Sequence, residues 1–148
     1  MRDRPRALSS LTLLAALPLT SGATLPSTDV SALVTNLRSD RGQILACLTA
    51  RPEAFPGCNN DPDARRLKVP ATTTHLRFGT VPEGRYAIAL IHDENSNGKL
   101  DKHLVIPREG FGFSQDAPVV MGPPRFSSAA FPVGSTGEHL SIKMRYLL

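Results

Sequence analysis

The chain has 148 residues, of which 41% are hydrophobic and 20% are charged, so it can form one modest domain and a multidomain enzyme is excluded. Lysine and arginine total 17 against 13 acidic residues, but three of the arginines and one aspartate lie in the first six residues. The rest of the chain therefore carries 14 against 12. An excess of +2 is too small to predict a nucleic-acid or anionic-membrane surface.

The N-terminus has the pattern of a secretory signal peptide. Its three arginines are followed by an apolar run over residues 8–19 and then by small residues, which predicts cleavage after Ala23. The run has about a dozen residues, fewer than the roughly 20 that a membrane span needs. An ordinary N-terminal helix is disfavoured because no polar face or cap accompanies the run. We therefore expect a signal peptide over 1–23, a linker over 24–29, a single domain over 30–148, and a periplasmic or secreted protein without a membrane span.

The two cysteines, Cys47 and Cys58, are predicted to form a structural disulfide. Export to an oxidising compartment allows the pair to close a short loop that contains proline. A metal site is disfavoured because no neighbouring histidine completes a ligand set. A redox role is disfavoured because the closely spaced C-x-x-C pattern is absent.

Beyond Asp29 the chain reads as short strands separated by turn residues, which predicts an all-β fold. The predicted strands cover residues 30–37, 43–49, 66–69, 73–78, 85–92 and 140–146. The run 85–92, RYAIALIH, is apolar enough for a strand buried in the core. Residues 105–134 are rich in proline, glycine and phenylalanine, and we expect them to form a long ordered loop layer.

The segment 93–101, DENSNGKLD, follows that buried strand and fits the first nine positions of a calcium-binding loop. Side-chain oxygens would come from Asp93, Asn95, Asn97 and Asp101, and the carbonyl oxygen from Lys99. Position twelve is Leu104 where a bidentate glutamate is expected, so an EF-hand is excluded. The alternative is that Asn97 and Gly98 form only a hairpin turn with local hydrogen bonds.

Four histidines, at positions 75, 92, 103 and 139, show no metal-binding spacing. His92 next to Asp93 could act as an oriented base, and this supports an alternative function as a small periplasmic hydrolase that uses His92, Asp93 or Glu109. No nucleophile motif accompanies them. Convergence of His92, His103 and Glu109 in one concave pocket would favour the hydrolase.

Four phenylalanines lie between small residues in the loop-rich segment: Phe111, Phe113, Phe126 and Phe131. They could frame a ligand surface near the segment 93–101, which we call the ion loop. The interpretation that we favour is that they anchor the loop layer to one face of the sheet, because apolar residues of loops are usually buried.

An ordered set of motifs carries a resemblance that spans about residues 30–146: LRSDRGQILACL, FPGC, RRLKVPA, VPEGRYAIALIHDENSNGKLD, IPREGFGFSQDA and GPPRFSSAAFPVG. In this set the chain resembles a domain-of-unknown-function family of small secreted proteins from Gram-negative bacteria. The resemblance implies an immunoglobulin-like or transthyretin-like β-sandwich of about seven strands, and the family has no established activity. We therefore expect a non-enzymatic envelope module that binds an unidentified envelope protein or small ligand and not nucleic acid, with calcium as its candidate cofactor.

Overall fold

The computed structural model describes residues 27–148, so the predicted signal peptide lies outside the described residues. The strands and helices run in chain order as follows: β1 Ser27–Thr35, β2 Gln43–Thr49, β3 Arg65–Pro70, β4 His75–Pro82, β5 Gly84–Asp93, β6 Lys102–His103, β7 Ile106–Pro107, β8 Gly110–Phe113, a 3₁₀ helix Ser114–Asp116, α1 Phe126–Ala129, β9 Phe131–Val133 and β10 Glu138–Lys143. No helix within residues 27–148 is long and apolar enough to cross a membrane.

The strands form two main sheets. In the first sheet the order is β10-β1-β4, with β1 parallel to β10 and antiparallel to β4. In the second sheet the order is β3-β2-β5-β8, all antiparallel, and β9 pairs with the beginning of β5. Strands β6 and β7 form a separate hairpin. The predicted strands belong to the two main sheets. Of the additional short strands, β7, β8 and β9 lie in the segment predicted to be a loop layer, and β6 precedes it.

The main core lies between the inner faces of the two sheets. Alternate residues of β1 point inward, and so do alternate residues of β2, β4 and β5. The buried set includes Val30, Val34, Ile44, Leu48, Leu76, Phe78, Ile88, Leu90, Phe131, Ile142 and Met144. Because apolar residues two apart share one face of a strand, this alternation forces the sheets to pack face to face. The prediction of an all-β sandwich is confirmed.

Strand β5 is buried on both of its faces. Its outward residues Ala87 and Ala89 lie beneath a second apolar cluster that includes Phe111, Phe113 and Ala129. The small alanines leave room for the phenylalanine rings of the segments that cover this face. Burial on both sides explains why the run RYAIALIH is almost continuously apolar.

The first and last strands differ from their predicted bounds. Strand β1 begins at Ser27, inside the predicted linker, because Thr28 is buried and its hydroxyl donates to the carbonyl of Gly134 at 2.5 Å. A buried polar residue does not stand out in an apolar pattern. Strand β10 ends at Lys143, earlier than predicted: the N–H of Met144 makes a last hydrogen bond to the Thr35 carbonyl of β1, and Arg145 then pairs with Phe111 of the second sheet. The C-terminal segment thus joins the two sheets.

The predicted disulfide is confirmed. Cys47 of β2 is bonded to Cys58, and their Cα atoms are 5.8 Å apart. Both residues are buried. Arg66, the neighbour of Cys47 on β3, donates hydrogen bonds to the carbonyls of Cys58 and Asp61. The loop over residues 50–64, which we call the disulfide loop, is therefore joined to the sheet by one covalent bond and several polar contacts.

The disulfide loop also contains a buried carboxylate. Asp61 accepts hydrogen bonds from the Thr49 hydroxyl at 2.5 Å and from the backbone N–H of Asp63 at 3.0 Å. The guanidinium of Arg51 lies 3.3 Å from the same carboxylate. The Thr49 hydrogen bond, followed by the backbone N–H and the Arg51 charge, lowers the pKa of Asp61. This buried negative charge is thus matched by a cation.

Candidate functional site

The candidate ion loop follows β5 and is built around a carboxylate that is fully buried. Asp93 has an exposed fraction of 0%. One of its oxygens accepts the backbone N–H of Asn97 at 3.0 Å, and the other accepts the N–H of Gly98 at 2.7 Å. The second oxygen also accepts from the Gln43 amide at 2.6 Å. Gln43 is the partner of Asp93 in the β2–β5 pairing, which explains why this amide lies within reach.

The turn itself has the local geometry that its sequence favours. The side-chain oxygen of Asn95 accepts the N–H of Asn97 at 3.0 Å, and the side-chain oxygen of Asn97 accepts the N–H of Lys99 at 3.1 Å. Ser96 and Gly98 have φ angles of +59° and +83°, and glycine adopts such an angle without steric cost. The hairpin-turn interpretation thus describes these local hydrogen bonds.

Asp101 lies at the open side of this turn and accepts hydrogen bonds from amide nitrogens. Its carboxylate accepts from the side chain of Asn95 at 2.6 Å and from that of Asn97 at 2.9 Å. The hydrogen bonds from Asn97 and then Asn95 lower the pKa of Asp101. Within residues 27–148, no three histidine, cysteine, aspartate or glutamate side chains converge as a metal-binding group.

Glu109 joins the two ends of the ion loop, a role that the calcium-loop pattern did not reveal. It is buried, and its two oxygens accept the backbone N–H groups of Glu94 and Asp101, each at 3.0 Å. The pattern places an acid at position twelve, where the chain has Leu104 with its side chain in solvent. The absence of an acid at position twelve was the available signal for Glu109. An acidic residue that follows shortly after position twelve can bind the same end of the loop.

A second contact holds the ion loop against the segment that connects β1 and β2. The Arg38 guanidinium donates to the Glu94 carboxylate at 3.0 and 2.5 Å, and the Ser39 hydroxyl donates to the same group at 2.8 Å. The Arg38 hydrogen bond lowers the pKa of Glu94 despite partial burial. Arg38 also lies over the Tyr146 ring at 4.5 Å and donates to the Arg108 carbonyl at 2.9 Å. The start of the ion loop, at Glu94, is therefore held by Arg38 and Ser39, and its end, at Asp101, is held by Glu109.

The residues of the alternative hydrolase do not gather in one pocket. His92 is fully buried, with one ring nitrogen 2.7 Å from the Tyr146 hydroxyl and the other 2.9 Å from the Arg41 carbonyl. His103 is exposed on the β6–β7 hairpin. Glu109 already accepts two backbone hydrogen bonds. The arrangement that would favour a hydrolase is therefore not formed by these three residues.

The four phenylalanines of the loop-rich segment do not share one surface. Phe111 and Phe113 are buried in the second apolar cluster described above, which we call the outer cluster, and Phe126 packs against it. Phe131 is buried on the other side of the sheet, in the main core. Phe55, which the sequence did not single out, completes the outer cluster through edge contacts with Phe113 at 5.8 Å and Phe126 at 6.1 Å between ring centroids. The rings hold the loop layer on the sheet.

The outer face of the first sheet carries a polar pair that the sequence did not reveal. The Ser31 hydroxyl lies 2.6 Å from a ring nitrogen of His139, its cross-strand neighbour on β10. Together with His75 these residues line an open depression of about 380 Å³. Pairing of β1 with β10 explains the contact, since directly opposite residues on one face of a sheet meet.

The family comparison identifies the group to which the chain belongs. It is a member of a family described as uncharacterised proteins conserved in bacteria, DUF2141, whose sequence profile matches residues 33–141. The match runs from β1 to β10 and contains the whole ion loop. Searches of curated proteins and of solved structures found no significant match.

Proposed function

We propose that the protein is a non-enzymatic binding module of the periplasm or the extracellular space, with calcium as a structural part of the loop over residues 93–101. The Cys47–Cys58 disulfide supports an oxidising compartment, because cytosolic proteins rarely keep such bonds. The fully bonded His92 and Glu109 support a structural rather than a catalytic role for the buried polar groups at this end of the sandwich.

The observation that carries the calcium proposal is a group of three carboxylates without a salt bridge at one end of the second sheet. Asp93 and Glu109 are buried and Asp101 is half-buried. Among the described residues, none of the three carboxylates forms a salt bridge with an arginine, lysine or histidine. Backbone and amide N–H groups stabilise these charges but do not neutralise them, and a bound cation would do so.

The donor set fits a hard cation. Calcium takes six to eight oxygen ligands, and carboxylate, amide and carbonyl oxygens are the kinds that it prefers. The amide nitrogens of Asn95 and Asn97 now face Asp101. Rotation of these two amides would turn their oxygens toward an ion held by Asp93 and Asp101. Since this rotation breaks existing hydrogen bonds, we expect a Kd of about 10⁻⁴ to 10⁻³ M, as in extracellular calcium modules.

Thermal melting of the purified protein tests this proposal. At about 10 mM calcium and a Kd of about 10⁻⁴ M, the folded state gains about 2.7 kcal/mol, which raises Tm by about 10 °C over the same protein in chelator. Asp101→Asn should lose the calcium-dependent rise, and Asp40→Asn is the matched control because Asp40 is an exposed aspartate outside the loop. Identical melting curves in chelator and calcium, or a full rise in Asp101→Asn, would refute the calcium site.

A further inference from the structure

The β6–β7 hairpin ends in two large apolar side chains that contact solvent rather than the protein. Its two-residue turn consists of Leu104 and Val105, whose exposed fractions are 87% and 86%. The next residue, Ile106, is also exposed. Leu104 and Val105 bury almost no surface in the fold, so folding alone does not explain two large aliphatic side chains at the tip of a hairpin.

The backbone at the tip also argues against a purely structural role. Leu104 has a φ angle of +57°, a left-handed conformation that disfavours a bulky side chain and suits glycine. A glycine at this position would relieve the strain, and no packing would be lost because the leucine side chain lies in solvent. The leucine therefore weakens the turn and gives the folded domain no contact in return.

Two cationic side chains flank the tip, one on each side. Lys102 begins β6, and Arg108 directly follows β7; both residues are exposed. The carboxylate of Asp101, at the base of the hairpin, accepts hydrogen bonds from the asparagine amides of the ion loop. The hairpin thus combines an aliphatic tip with two exposed cations, although the predicted mature chain as a whole carries an excess of only +2.

The base of the hairpin is fixed to the sandwich. The N–H of Arg108 donates to the carbonyl of Asp101 at 2.9 Å, and the N–H of Asp101 donates to buried Glu109 at 3.0 Å. A braced hairpin of six residues offers far less area than the roughly 800 Å² per partner of a standard protein interface. A lipid surface needs only a few inserted aliphatic side chains and nearby cations.

We infer that the β6–β7 hairpin docks the protein on an anionic lipid bilayer, with Leu104 and Val105 inserted at the level of the headgroups. Lys102 and Arg108 then lie next to the anionic headgroups. The inference deepens the proposed function by naming the partner, and it rests on that function only in treating the protein as a binding module. The calcium site is a separate claim, because the tip residues supply none of its proposed ligands.

The chain contains a natural control surface. Val120 and Met121 are a second pair of exposed apolar neighbours, with exposed fractions of 84% and 99%. No lysine, arginine or histidine lies within three residues on either side of this pair. The two surfaces match in exposure and differ in charge, so a merely hydrophobic attraction to lipid would involve both of them.

Vesicle co-sedimentation with the mature, disulfide-bonded protein tests the inference. The unmodified protein should bind vesicles with about 40% phosphatidylglycerol in phosphatidylcholine and should not bind phosphatidylcholine alone. Leu104→Gly combined with Val105→Asn should weaken binding at least about tenfold, and its Tm should stay equal or rise because glycine suits the turn. Lys102→Gln combined with Arg108→Gln should weaken binding about 30-fold, and added salt should reduce the difference.

The control variant, Val120→Asn combined with Met121→Ser, should bind vesicles like the unmodified protein. Failure of the unmodified protein to bind anionic vesicles overturns the inference, as does undiminished binding by the Leu104 and Val105 variant. Equal binding to neutral and anionic vesicles also overturns it. Melting of the same variants in calcium and in chelator separates the two claims, because a lost calcium response with intact vesicle binding refutes only the proposed calcium site.

Discussion

Two loops of this protein each bury an aspartate, and they stabilise its charge in different ways. In the disulfide loop, Asp61 contacts Thr49, a backbone N–H and the cation Arg51. In the ion loop, Asp93 receives two backbone N–H groups and the Gln43 amide. The first loop is closed by a covalent bond and contains its own counter-charge. The second relies on N–H dipoles alone, and the calcium proposal rests on this difference.

The largest expected effect concerns the covalent bond of the first loop. Replacing both Cys47 and Cys58 by alanine should lower the free energy of unfolding by about 3 kcal/mol, because the bond restricts the unfolded chain over a short loop. Chemical denaturation of the oxidised protein and the double variant measures the difference. A loss below about 1 kcal/mol would show that the polar contacts of Asp61 hold the loop without the disulfide.

A smaller effect is expected for the counter-charge in the same loop. Asp61→Asn should cost about 1.5 kcal/mol at pH 7, because charged hydrogen bonds become neutral ones and the Arg51 attraction is lost. Asp63→Asn is the control, since Asp63 is exposed and should change stability by less than about 0.5 kcal/mol.

This effect should also depend on pH in a defined direction. The folded-state pKa of Asp61 lies below its ordinary value of 3.8, so its stabilisation is fully present above that value and is lost as the pH falls further. Denaturation at low pH should therefore bring the unmodified protein and Asp61→Asn closer together in stability. A difference that stays constant from pH 7 to strong acid would show that the Asp61 charge is not the stabilising feature.

The sequence predicts the strands well where burial follows a simple period. The bounds predicted for β2 agree with the structure, and the apolar run 85–92 differs from β5 by one residue at each end. Alternation also identifies Ile142 and Met144 as inward residues. Local turn chemistry around Asn97 and Gly98 is visible in the sequence as well.

The contacts that could not be predicted from the sequence are those between segments that are distant in the chain. Glu109 reaches the loop because β8 pairs with β5 just beyond it, and Gln43 reaches Asp93 through the β2–β5 register. The sides on which Phe113 and Phe131 are buried follow from separate pairings of β8 and β9 with β5. The apolar pattern within one segment does not show which other strand it pairs with or in which register.

Amide resonances of isotope-labelled protein, recorded by NMR during a calcium titration, test the central claim most directly. Binding at the ion loop should shift the backbone amides of Asn97 and Gly98 and the side-chain amide of Gln43 in one saturable step at millimolar calcium. The backbone amide of Asp63, which contacts the buried carboxylate of the disulfide loop, should not move. Unchanged resonances at Asn97 and Gly98, or shifts of equal size at Asp63, would contradict a calcium site at Asp93.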